Sequence, residues 1–204
     1  LVNSGDEIII PAPFFPEYRV FAENAGARVV TVMCRAPDFQ LDIKAIESAV
    51  NEKTKAIIIN SPNNPTGAVF SPDTIKALSD MLVRKQAEYG TDIYIIADEP
   101  YRELSYGAEV PYIPKYYANT AVCYSYSKSL SLPGERIGYI FIPESANNSK
   151  KLYAAVCGAG RALGFVCAPS LMQYTVAECT YALPDISTYK KNRDLLFGAL
   201  TDYG

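Results

Sequence analysis

The residues with the clearest capacity for chemistry are a carboxylate, an amine and a guanidinium: Asp98, Lys128 and Arg136. Asp98 directly follows the apolar run 93–97, Lys128 follows the run 121–124 after a short polar stretch, and Arg136 precedes another apolar run. A lysine amine is a nucleophile toward carbonyl carbons. Arginine binds phosphate through a charge-assisted fork. The three groups together are what one small-molecule cofactor would require.

Three further polar side chains, Asn64, Tyr101 and Ser125, also lie in loops that follow apolar runs. Each feature alone has a simpler explanation: Asn-Pro-Thr-Gly forms turns readily, a carboxylate after a strand often caps a helix, and a lysine in a loop is usually solvated. Their occurrence in one order, each at a predicted strand end, makes chance a poor explanation. Open α/β sheets bind ligands at the carboxyl ends of their strands, so we expect one shared site.

Alternation of short β-rich runs with longer helical patterns predicts the elements that position these residues. Nearly all residues of the runs 56–59 and 93–97 are apolar, which is typical of strands buried on both faces of a largely parallel sheet. The expected fold class is therefore α/β, a three-layer α/β/α arrangement with a mostly parallel sheet. The predicted strands are 7–10, 27–33, 55–60, 92–97, 121–125 and 138–142, and the predicted helices are 16–25, 42–50, 72–89, 145–156, 170–181 and 185–200.

The chain is expected to form one domain over residues 1–204. Because residue 1 is not methionine and the sequence stops after an apolar helical pattern, we expect a truncated domain whose last helix, from about residue 185, leads toward an absent C-terminal domain. The connection 107–119 is rich in proline and tyrosine and is expected on the surface.

Composition excludes several classes of function. A formal net charge of −3 without a basic run argues against nucleic-acid or anionic-membrane partners. The five cysteines form no CxxC pair and there is no histidine, so no metal site is expected. The sequence has neither a membrane-length apolar stretch nor a signal-peptide pattern, which predicts a cytoplasmic protein.

With these residues in place, the chain resembles the fold type I enzymes that use pyridoxal 5′-phosphate (PLP), specifically the class I/II aminotransferases related to aspartate aminotransferase. The resemblance covers at least residues 5–142 and is highly specific as a set of motifs. The matching segments are Gly5 to Tyr18, Asn64-Pro65-Thr66-Gly67, Ala97-Asp98-Glu99-Pro100-Tyr101, Ser125-Tyr126-Ser127-Lys128 and Arg136-Ile137-Gly138. The resemblance identifies the chain as the cofactor-binding large domain of such an enzyme.

The resemblance implies a catalytic role for Lys128, Asp98 and Tyr101. Lys128 would bind the cofactor aldehyde covalently and later move a proton at the substrate. Asp98 would keep the pyridine nitrogen of PLP protonated, so that the ring accepts electrons. Asn64 and Tyr101 would donate hydrogen bonds to the ring's hydroxyl oxygen and stabilise its ionised form.

The resemblance also implies the residues that hold the rest of the cofactor. Ser125 and Arg136 would bind the phosphate, and Phe15 would stack on the pyridine ring. Phe15 stands where aspartate aminotransferases carry a tryptophan, so the substrate preference stays open. The family also has cis peptide bonds at the positions of Ala12-Pro13 and Asn64-Pro65.

The implied activity is transfer of an amino group between an amino acid and a 2-oxo acid by a homodimeric full-length protein, whereas the 204-residue piece alone is expected to be inactive. Two alternatives stay open. A C–S lyase or a decarboxylase of the same fold shares the acid, amine and guanidinium. An aminotransferase-like sensor domain of a transcription regulator would need a helix-turn-helix upstream. An unrelated Rossmann-like nucleotide binder is disfavoured, because no glycine-rich phosphate motif follows a strand.

Overall fold

A computed structural model describes residues 1–203 and contains a six-stranded sheet with strand order β2-β1-β3-β4-β5-β6. Neighbouring strands are parallel except for β5 and β6, which are antiparallel. All six predicted strands are present, which confirms the mostly parallel sheet. The strands are β1 (Glu7–Ala12), β2 (Arg28–Met33), β3 (Thr54–Asn60), β4 (Tyr94–Asp98), β5 (Thr120–Ser125) and β6 (Gly138–Phe141).

Seven α-helices accompany the sheet over the described residues. They are α1 (Glu17–Asn24), α2 (Ile43–Ala49), α3 (Pro72–Tyr89), α4 (Tyr126–Ser129), α5 (Ser149–Ala162), α6 (Ser170–Glu178) and α7 (Ile186–Tyr203), with short 3-10 helices at Ile113–Lys115 and Pro133–Glu135. No helix within residues 1–203 combines the length and apolar character needed to cross a bilayer. The peptide bonds Ala12-Pro13 and Asn64-Pro65 are cis, as expected.

Two apolar clusters cover the two faces of the sheet and give the three layers that the sequence predicts. On one face, Ile57 and Ile95 pack with residues of α2 and α3, such as Ile46 and Leu78. On the other face, residues of β1, β3 and β4 pack with α1 and with Leu152 of α5. The central strands are apolar on both faces because both faces are covered.

Helix boundaries match the prediction where the sequence carries capping residues and differ where a turn has no sequence signal. Helix α3 spans the predicted residues, with the Ser71 hydroxyl accepting from the Thr74 N–H at 3.1 Å and Gly90 ending it at φ 62°. Helix α5 was predicted at 145–156 but begins later, because Asn148 adopts φ 55° after a turn. It also continues beyond the predicted end, since glycine weakens a helix without necessarily ending it.

The expectation that 107–119 lies on the surface is wrong for part of this connection. Ile113 and Tyr117 are 2% and 3% exposed and belong to the apolar cluster that also contains α3. The Tyr117 hydroxyl donates to the Ile93 carbonyl at 2.6 Å. A buried tyrosine satisfies its hydroxyl in this way, so composition alone does not distinguish it from its half-buried neighbour Tyr116.

This contact predicts different effects for two adjacent tyrosines. Tyr117→Phe removes the buried donor and leaves the Ile93 carbonyl without it, so we expect unfolding free energy to fall by about 1 kcal/mol or more. Tyr116→Phe, at a half-buried position, is the matched control and should change it by less than about 0.5 kcal/mol. Urea unfolding of both variants measures this; equal losses would contradict the assignment.

Candidate functional site

The site is organised by a row of residues at the carboxyl ends of β3, β4 and β5. Asn60 pairs with Asp98, and Asp98 pairs with Cys123, in the parallel register of the three strands. Asp98 is the last residue of β4 and not part of the following loop, which corrects the predicted end at residue 97. This register fixes the positions at which the segments following each strand start, and these segments carry the other candidate side chains.

Asp98 lies in a desolvated environment with one strong polar partner. The Tyr18 hydroxyl of α1 donates a hydrogen bond to Asp98 Oδ2. Burial raises the pKa of the Asp98 carboxyl above its ordinary value of 3.8, and the Tyr18 bond opposes that rise. Burial, followed by the charge of Asp98, raises the pKa of Tyr18, so this phenol stays protonated and remains a donor.

Sequence reasoning did not assign a role to Tyr18. It belongs to the opening segment that carries the family resemblance, but it is 80 residues from Asp98. No spacing rule links a helix residue to a strand end at that separation. The pairing follows from the packing of α1 against the sheet face that contains β1, β3 and β4.

A cavity of about 130 Å³ lies beside Asp98 and brings four of the predicted residues together. Phe15, Asn64, Asp98 and Tyr101 all line it, with Tyr18, Asn60 and Pro100 completing the wall. The Phe15 ring meets the Tyr18 ring edge-on, with centroids 5.6 Å apart. The Asn64 N–H donates to the Asn60 side-chain oxygen at 2.6 Å. One wall therefore presents an aromatic ring, a carboxylate, an amide and a phenol.

Lys128 does not line this cavity but lies near Tyr101, which does. It lies in α4, a four-residue helix at a position where the sequence predicts a loop. Ser125 caps this helix, because its hydroxyl accepts from the Ser127 N–H at 3.2 Å. The Lys128 ammonium nitrogen is 5.8 Å from the Tyr101 ring centroid. The amine and the carboxylate thus both border the Tyr101 region.

Ser125 and Arg136 are neighbours through the backbone, while their side chains bond elsewhere. Ser125 pairs with Gly138 across β5 and β6, two residues beyond Arg136. The Ser125 hydroxyl is 2.7 Å from the Ser127 hydroxyl. The exposed Arg136 guanidinium donates to the Pro133 carbonyl at 2.9 Å. The structure therefore brings the two chain segments together without a direct contact between these two side chains.

Gly138 allows β6 to approach β5 next to Ser125. A Cβ atom at this position would lie 2.2 Å from the Tyr124 carbonyl oxygen. Asp98, Ser125 and Gly138 also line a larger cleft of about 550 Å³ whose other walls come mainly from β6 and α5. The close approach makes glycine a requirement of the strand pairing that carries Ser125.

Comparisons with known proteins agree with this geometry. A family model described as aminotransferase class I and II matches residues 1–201. Putative aminotransferase YugH of Bacillus subtilis (strain 168) is 30% identical over 214 residues, covering 100% of this chain and 52% of that protein. The chain spans about half the length of the curated relatives it matches.

Solved structures give the same match. An amino transferase from Eubacterium rectale has a TM-score of 0.97 and 57% identity, covering 100% of this chain and 52% of that chain. The N-succinyldiaminopimelate aminotransferase of Mycobacterium tuberculosis has a TM-score of 0.86 and 29% identity, covering 100% and 53%.

The close contact at Gly138 predicts that a methyl group added at this position lowers the stability of the protein. Gly138→Ala forces β6 away from the Tyr124 carbonyl, so we expect a loss of about 1–3 kcal/mol in unfolding free energy. Gly134→Ala is the matched control, because a Cβ there meets no atom within 4 Å. Thermal and urea unfolding distinguish the two variants, and a Gly138→Ala protein as stable as Gly134→Ala would refute the close approach.

The environment of Asp98 predicts a pH-dependent stability. Because the folded-state pKa is raised, the folded chain holds more protons than the unfolded chain, and stability falls as pH rises from 3.8 through the raised pKa. Asp98→Asn lacks this titration, so at neutral pH it should be more stable than wild type. Urea unfolding between about pH 4 and pH 7 tests the trend. A stability difference that does not grow with pH would contradict it.

Proposed function

The chain belongs to the class I and II aminotransferase family, and from this premise we propose that the complete protein is a PLP-dependent aminotransferase. It moves an amino group between an amino acid and a 2-oxo acid. The observation that carries the proposal is the grouping of Asn64, Asp98 and Tyr101 around one cavity, with the Lys128 amine beside the Tyr101 ring. The relatives are named as aminotransferases, which supports the same reaction class.

The donor set fits PLP group by group. A desolvated carboxylate such as Asp98 is stabilised most by a cationic partner. A protonated pyridine nitrogen is such a partner. Phe15 offers an aromatic face to the ring, and Ser125 and Arg136 offer a hydroxyl and a guanidinium to the phosphate. When bound, PLP supplies an aldehyde that captures amines and a ring that withdraws electrons from the substrate's α-carbon.

We assign the chemical tasks of the chain to three residues. Lys128 would hold the cofactor through its amine, and after the substrate amine has displaced it, the freed Lys128 amine would move a proton at the substrate's α-carbon. Asp98 holds the proton on the pyridine nitrogen, and Tyr18 keeps the Asp98 carboxylate in place for this task. Tyr101, together with Asn64, donates to the ring's hydroxyl oxygen and lowers the affinity of that oxygen for a proton.

The setting of the protein is part of the proposal. We propose a cytoplasmic homodimer that binds neither nucleic acid nor membrane, with residues 1–204 as one cofactor-binding domain. Five free cysteines and a net charge of −3 support this setting. Exposed apolar side chains on α7, such as Leu195 at 63% and Phe197 at 73%, support further contacts beyond these residues. The 204-residue chain alone is therefore inactive on this proposal.

The test uses protein expressed from the complete reading frame that contains this chain. With PLP bound, its visible absorption band is expected to disappear on adding a donor amino acid and to return on adding a 2-oxo acid. Borohydride reduction should fix the cofactor to Lys128, whereas the 204-residue chain should be labelled far below one PLP per chain. Stoichiometric labelling of that chain would contradict the proposed dependence on further segments.

Two variants control this experiment. Lys128→Ala should abolish both labelling and turnover, because no other amine replaces its two tasks. Lys115→Ala, at an exposed lysine in a 3-10 helix, should retain both. Full turnover by Lys128→Ala would refute the assignment. Release of carbon dioxide, or of ammonia without a 2-oxo acid acceptor, would indicate a decarboxylase or a lyase instead.

A further inference from the structure

Asn60 has a buried side-chain amide whose two ends both bond to segments of the site. It is the last residue of β3 and is 3% exposed. Its Nδ2 donates to the Asp98 carbonyl at 2.8 Å, and its Oδ1 accepts from the Asn64 N–H at 2.6 Å. Burying an amide costs free energy unless its bonds are made, so a role in core packing alone would favour an apolar side chain.

The turn that carries Asn64 keeps its shape through other bonds. The Asn63 Oδ1 accepts from both the N–H and the hydroxyl of Thr66, and the Asn63 carbonyl accepts from the Gly67 N–H. These bonds lie within the turn and do not reach β4. The Asn60 amide does reach β4, because Asn60 and Asp98 are partners in the strand register. The separation between Asn64 and Asp98 is therefore set through Asn60.

This separation matters for the proposed function, on which the inference rests. On that proposal, Asp98 would contact the ring nitrogen and Asn64 would contact the ring hydroxyl oxygen. The nitrogen and this oxygen are held at a fixed distance by one rigid aromatic ring. Groups that bind a rigid ligand must be held to within about 0.5 Å of the required geometry. We propose that Asn60 is a positioning residue, whose amide holds Asn64 at the distance from Asp98 that the ring requires.

The first test measures the bound cofactor in the complete protein. In Asn60→Ala, Asn64 loses its anchor, so the ionised form of the ring oxygen is less stabilised. The pH midpoint at which the absorbance of the bound cofactor changes should therefore rise. PLP affinity should fall roughly fivefold to tenfold. Asn64→Ala should shift the midpoint in the same direction. The double variant should add little, because both variants weaken the same proposed bond from the Asn64 side chain to the ring oxygen.

Asn63→Ala is the matched control, since it loosens the same turn from within. It should lower stability while leaving the pH midpoint close to wild type. A midpoint in Asn60→Ala that equals wild type, or that moves no further than in Asn63→Ala, would overturn the positioning role. Full additivity of the Asn60→Ala and Asn64→Ala shifts would overturn it as well.

A second test needs no cofactor. Amide hydrogen exchange, followed by NMR on the PLP-free protein, should be faster at the Asn64 N–H in Asn60→Ala. Asn60→Asp keeps an acceptor for that N–H but lacks the donor to Asp98, so Asn64 should remain protected. Equal protection of Asn64 in wild type and in Asn60→Ala would refute the anchoring bond itself.

The two tests distinguish a failure of the proposed function from a failure of the positioning role of Asn60. If the wild-type complete protein shows no PLP band and no labelling of Lys128, the proposed function fails, and the cofactor role of Asn60 fails with it. If wild type binds PLP normally and Asn60→Ala leaves the midpoint unchanged, only the positioning role fails.

Discussion

The in-register pairing of β3, β4 and β5 is the constraint on which the site depends. It places Asn60, Asp98 and Cys123 side by side at one edge of the sheet. A slip of one residue in β4 would turn every side chain of that strand to the other face, moving Asp98 away from its cavity. Because both faces of the strand are closely packed, a slip would put side chains of different size into each packed position, which is costly. Core packing thus fixes the polar groups.

That constraint has an electrostatic consequence at Asp98. A strand end close to the core removes water from the carboxylate, and burial raises its pKa. Tyr18 offsets part of this cost from α1, a helix that packs on the adjacent face of the sheet. Functional sites often retain groups that reduce stability. Asp98 fits that pattern, because an apolar or neutral residue would suit its surroundings better.

The sequence was sufficient to predict what depends on local pattern. The six strands, the span of α3 and the clustering of Asn64, Asp98 and Tyr101 follow from apolar runs and from the rule that ligands bind at strand ends. The family resemblance adds Phe15 to this cluster. Features that depend on contacts between distant residues were missed. These features are the bond from Tyr18 to Asp98, the burial of Tyr117 and the two hydrogen bonds of the Asn60 side chain. Each joins segments that no periodicity connects. Helix α4 was missed because four residues are too few to show a helical period.

The two ends of the candidate site differ in how firmly the fold prepares them. At the proposed ring end, Asp98 is bonded to Tyr18 and Asn64 is bonded to Asn60, so both groups are held before any ligand arrives. At the proposed phosphate end, the Arg136 guanidinium is exposed and donates to a carbonyl of its own turn. On the proposed function, a phosphate would have to replace that bond, and a charge-assisted fork is strong enough to do so. On the proposed function, ring placement would be a property of the core, whereas phosphate capture would require the Arg136 side chain to reorient.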